Sequence, residues 1–109
     1  MAARKENDAK ASTKGFKEYE MKGDTFDYSG RIYVDLERKA GKMTITPITI
    51  CLNGVITMKG CSFYETRYNM WVGGPQFKSG DDYKDFIYFD KELNDEMDAL
   101  AEAIAAAKD

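Results

Sequence analysis

Arg31, Arg38, Lys39, Lys42, Lys59, Arg67 and Lys78 are interleaved with Tyr33, Tyr64, Trp71 and Phe77 through the middle of the chain. Single-stranded nucleic acid requires two kinds of group: cations that follow the phosphates and ring faces that stack the bases, at about 1–3 kcal/mol per stacked base. Counting charge by segment separates the chain into two parts. Residues 28 to 80 hold those seven cations against Asp35, Glu37 and Glu65, net +4, whereas residues 90 to 109 hold seven acids against Lys91 and Lys108, net −5. The whole chain of 109 residues carries −3 with a pI near 5.0, so any anion-binding surface must be local. The bland reading of the same residues is a solvated sheet, since strands are rich in Tyr and Phe and Lys decorates most exposed surfaces.

Other chemistry lacks its parts. The chain has no histidine, which removes Ser-His and Cys-His catalysis and histidine-held metals. Cys51 and Cys61 are neither a CxxC pair nor a zinc framework, and read as free thiols in a reducing compartment. Asp81, Asp82 and Asp85 lack the alternating acids and distal Glu of a calcium loop, so they read as turn residues beside Gly80. Gly73-Gly74-Pro75 lacks the spacing of a phosphate cradle and reads as a strand bend. The acids of the C-terminal segment fit a solvated helix face. No nucleophile, base and glycine elbow come together, so the expectation is a protein without catalysis, cofactor or metal.

The elements that must position these residues follow from pattern. Residues 1–14 show no apolar periodicity and read as a mobile arm ahead of one domain at 15–109. Arg31 to Arg38 alternates Ile32, Val34 and Leu36 with polar residues, as a half-buried strand does. A second run, Met43 to Leu52, is divided by Pro47, which suits an edge or a bulge. Asn53-Gly54 predicts a hairpin into a third strand from about Val55, interrupted at Gly60. Arg67-Tyr68-Asn69 turns the chain into Met70-Trp71-Val72, a polar loop spans Lys78 to Asp82, and a last strand runs from Tyr83 to Phe89. Leu93, Met97, Leu100, Ala101 and Ile104 recur at helical spacing, with Asp90 or Asn94 placed to cap the start. The predicted fold is α+β, an antiparallel sheet of four to six strands with one C-terminal amphipathic helix on one face. The other face, with Tyr33, Tyr64, Trp71, Phe77, Tyr83 and Tyr88 as candidates, is then left for a partner. No apolar run approaches the roughly 20 residues of a membrane span, and residues 1–15 have no signal-like apolar region, which predicts a cytoplasmic protein.

From Gly41-Lys42-Met43 through Met70-Trp71-Val72-Gly73-Gly74-Pro75 to Tyr83-Lys84-Asp85-Phe86-Ile87 and the following helix, the chain resembles the SpoVG family over roughly residues 34 to 104. That resemblance implies a small homodimeric nucleic-acid-binding protein with a regulatory role. Where the family carries basic and hydroxylated residues after its Met-Pro, this chain has Gln76-Phe77-Lys78 with a single lysine, which counts against duplex binding there. The strand order is also similar to that of the positive cofactor four and whirly families, and Arg31-Ile32-Tyr33-Val34-Asp35-Leu36 looks like one of their strands. Membership there would imply dimers that bind single-stranded DNA across their sheets. The expectation is therefore a homodimer that binds single-stranded DNA through the eleven residues named at the outset. The rival expectation is a protein-interaction module, an accessory protein of a phage or mobile element, which the acidic pI favours.

Overall fold

The computed structural model describes residues 15–109, so the expected arm at 1–14 lies outside the described residues. Strands β1 (Lys17–Lys22), β2 (Asp27–Ile32), β3 (Arg38–Ala40), β4 (Met43–Leu52), β5 (Ile56–Glu65) and β6 (Met70–Gly73) form one antiparallel sheet. Its order is β1-β2-β4-β5-β6, with β3 pairing β4 beyond the end of β2. Strands β7 (Gln76–Ser79) and β8 (Asp82–Asp85) make a separate hairpin. A 3-10 turn at Lys91–Leu93 leads into helix α1 (Asn94–Lys108). The predicted α+β class and helix-on-sheet arrangement are what the chain adopts.

The helix contacts β1, β2 and β6, so the sheet curls until both of its edges reach it. Met97, Leu100, Ala101 and Ile104 form the buried stripe and pack into Tyr28, Ile32, Ile48, Ile50, Met58, Cys61, Phe63 and Val72. Burial of each large apolar side chain there contributes about 1.5–3 kcal/mol. Polar ties fix both helix ends. The Glu96 carboxylate accepts hydrogen bonds from Thr25 N (3.0 Å) and Tyr28 Oη (2.8 Å), and Lys108 Nζ lies 2.5 Å from Glu37 Oε1 and 2.6 Å from Glu65 Oε1. Burial acts to lower the Lys108 pKa, but its bonds to Glu37 and Glu65 outweigh that and leave it raised. Both cysteines are free, Cys61 buried and Cys51 half-buried.

Several local expectations need correction. The strand read from Arg31 to Arg38 ends at Ile32, and Val34–Leu36 forms a 3-10 turn before β3 resumes alongside β4. The cause is Pro47. Tyr33 N donates to Pro47 O at 2.9 Å, but proline has no amide to return the bond, so the ladder breaks there. Leu36, read as inward-facing, is 61% exposed. Gly60 does not interrupt β5; at φ 81° it forms a bulge, and the register slips between Ile48/Cys61 and Ile50/Met58. The last strand stops at Asp85 rather than Phe89, and the loop read at 78–82 shrinks to Gly80-Asp81 because Lys78 and Ser79 pair with Tyr83 and Asp82. Neither Asp90 nor Asn94 caps with its side chain; Leu93 N bonds the Asp90 carbonyl instead, at 2.9 Å. Strand β1, KEYEMK, was not anticipated, because only Tyr19 and Met21 break its charge. The Asn53-Gly54 turn is as expected, with φ of 55° and 72°.

Candidate nucleic-acid interface

Side chains alternate across a strand, so once Ile48, Ile50 and Phe63 face the helix, the residues between them face away. The helix-free face is thereby mapped by register. Arg38, Ile45, Tyr64 and Trp71 are successive cross-strand partners over β3, β4, β5 and β6. The Tyr64 and Trp71 rings stack at 5.3 Å with 14° between their planes. Trp71 stays 41% exposed while Tyr64 is half-buried. Gly73, two residues along the same face, leaves room for this: a β-carbon there would stand 2.9 Å from Tyr64 Cε2.

The next row holds Tyr33 beside Pro47, then Ser62 and Gly73. The Tyr33 ring meets Phe16 edge-on at 6.0 Å, and the Arg31 guanidinium lies 4.3 Å over the centre of the same Phe16 ring. That cation–π contact holds Arg31 against the sheet instead of letting it swing into solvent. Beyond it, Arg31 and Lys59 flank Thr49, whose hydroxyl oxygen accepts from Arg31 N at 3.0 Å. With Glu18 and Glu20 they line an open concavity of about 500 Å³. Glu18 and Glu20 sit on edge strand β1 opposite Arg31 and Ser29. Chemically the face offers a stacked aromatic pair, two further rings and three cations, with Glu18 and Glu20 at the β1 margin and Asp85 and Asp98 lining a cavity of about 420 Å³ beside Tyr64 and Trp71 at the β6 margin.

Six of the eleven sequence-predicted residues thus share this face: Arg31, Tyr33, Arg38, Lys59, Tyr64 and Trp71. Lys39, paired with Thr44, points to the helix side, and Lys42 lies in the turn between β3 and β4. Arg67 stands over the Tyr68 ring at 5.6 Å, in a cleft shared with Asp98 and Glu102 of the helix. Phe77 and Lys78 belong to the β7–β8 hairpin, where Phe77 packs on Phe86 at 4.7 Å. Tyr83 and Tyr88, also expected on the open face, are exposed on and just after that hairpin; Tyr88 lines a cavity together with Tyr64 and Trp71, and Tyr83 does not. Phe16 and Gly73 were missed as site residues. Phe16 follows a polar stretch that carries no periodicity, and a glycine's signal is the space it leaves, which only the fold reveals.

Among the described residues no group of three His, Cys, Asp or Glu side chains could hold a metal, and no helix is long and apolar enough to cross a membrane. No protein-family model, curated protein or solved structure matches the chain.

Proposed function

We propose that the protein is a non-catalytic, cytoplasmic single-stranded-DNA-binding protein acting as a homodimer in replication, recombination or transcription regulation. The observation that carries the reading is the Tyr64–Trp71 stack on the helix-free face, in the same row as Arg38 and within a few residues of Arg31 and Lys59. A base stacks on the open face of Trp71 while the cations neutralise phosphates on either side. The resemblance of the strand motifs to the SpoVG family supports the same class. The apolar stripe of the acidic helix packs on the other side of the sheet, and Asp98 is the helix acid that reaches the cavity lined by Tyr64 and Trp71.

The dimeric part of the proposal draws on the β7–β8 hairpin, an isolated two-stranded element of a kind that is marginal in water alone. It and the residues after it leave Tyr83, Phe86 and Tyr88 at 67%, 64% and 76% exposure. The same aromatic hairpin favours the second reading, a module that docks on a different protein. A gel-shift titration with labelled oligo-dT, oligo-U and duplex DNA, run beside light scattering, tests both. A shift with oligo-dT stronger than with duplex, from a species of twice the chain mass, supports the proposal; no shift with any of the three at low salt favours the docking module.

A further inference from the structure

We propose that the bound strand crosses the sheet obliquely, from Trp71 and Tyr64 to Lys59 and Arg31, and that Glu18 and Glu20 on β1 end the path there, limiting each chain to a short footprint. The inference rests on the function proposed above and adds where the site stops. Three features define the route. The only stacked ring pair on the helix-free face among the described residues is at the β6 margin. The cations Arg31 and Lys59 lie on both sides of Thr49, four residues along β4 from Ile45 in the Tyr64–Trp71 row. The row after that, Ser29, Cys51 and Thr57, carries no cation, so nothing draws the strand further along the β-strands.

At the β1 margin the sign of the charge reverses. Glu18 is the direct partner of Arg31 and Glu20 of Ser29, and both are exposed on the same face. A phosphate passing beyond Arg31 meets these two carboxylates first; the β1 cation on that face, Lys22, lies two residues past Glu20 and is paired with Asp27 at 3.7 Å. Trp71 and Arg31 are separated by three inter-strand spacings and four residues of rise, on the order of 20 Å over the surface. That accommodates roughly four nucleotides, the low end for a single sheet-based binding domain. Glu18 and Glu20 are thus length-determining residues of the site.

The test is fluorescence anisotropy of the full chain with labelled oligo-dT from two to twelve nucleotides at low salt. The variant E18K/E20K is compared with E92K/D95K, which changes net charge equally at exposed positions of the 3-10 turn and the first helical turn, and circular dichroism checks that all three fold alike. The expected result is that the unaltered protein gains affinity up to about four nucleotides and then levels off. E18K/E20K continues to gain to longer oligomers, at least threefold tighter at twelve nucleotides, with a salt slope steeper by about 1 from the added phosphate contacts. E92K/D95K keeps the original plateau. A steady gain to twelve nucleotides in the unaltered protein, an unchanged plateau in E18K/E20K, or a plateau equally displaced in E92K/D95K overturns the boundary while leaving the binding face intact. No binding at any length overturns the binding face, and the boundary with it.

Discussion

Gly73 lies beneath the ring of Tyr64, where a β-carbon would stand 2.9 Å from Cε2, so the ring occupies the place a side chain would take. This vacancy on β6 lets Tyr64 lie flat enough to stack on Trp71 at 14°. Replacing Gly73 by alanine forces the ring to move while the backbone, which has ordinary φ there, is under no strain. The expected outcome is a changed emission from Trp71, the single tryptophan of the chain, and a three- to tenfold loss of oligo-dT affinity, with the melting temperature within a few degrees of the parent.

Trp71→Ala removes the exposed member of the stack. One stacked base at about 1–3 kcal/mol corresponds to a loss of roughly 5- to 150-fold in affinity. Because 41% of Trp71 is already in solvent, the fold should survive. Anisotropy titration and thermal melting of the same sample separate the two effects; a collapse of the melting transition would mark Trp71 as a core residue.

Gly30→Ala acts on the fold and not on the face. Its β-carbon would come within 2.1 Å of the Thr49 carbonyl oxygen and 3.0 Å of the Tyr19 ring, and that oxygen already accepts the Tyr19 hydroxyl at 2.8 Å. Backbone cannot yield as a side chain can, so a loss of more than about 2 kcal/mol is expected. Urea denaturation followed by far-ultraviolet circular dichroism measures it.

Acid should weaken the helix-to-sheet ties. Hydrogen bonding to Lys108 holds Glu37 below its ordinary pKa, and hydrogen bonding from Thr25, with that of Tyr28, does the same for Glu96. A carboxyl whose folded pKa is depressed stabilises the fold above its unfolded value, and that stabilisation disappears as pH falls through the folded value. Urea midpoints should therefore be flat from neutrality to about pH 5 and fall below it. Glu96→Gln should be less stable than the parent at pH 7 and show a shallower decline in acid.

Much of the fold was legible because period and turn chemistry agree. The Leu93-to-Ile104 stripe, the Asn53-Gly54 hairpin and the polar turn before Met70 all follow from local sequence. The break after Ile32 was not, since it depends on Pro47, fourteen residues further on in sequence, having no amide to complete the pair with Tyr33. Strand β1 escaped because its alternation is of charges around only two inward residues, and the detached hairpin escaped because period alone cannot tell a strand in the main sheet from one outside it. The interface was legible in composition and only partly in position. Arg38 and Lys39 are neighbours in sequence, yet one faces the Tyr64 row and the other the helix side, a distinction set by the register of β3 on β4.

A cationic, aromatic sheet face that holds a phosphate chain makes binding salt-dependent, and the salt dependence of oligo-dT binding tests it most directly. With Arg31, Arg38 and Lys59 each neutralising about one phosphate, the logarithm of the association constant should fall against the logarithm of salt with a slope near −2, about a 16-fold loss between 50 and 200 mM. An affinity unchanged over that range, or a slope unaltered when the three cations are replaced by alanine, would contradict it.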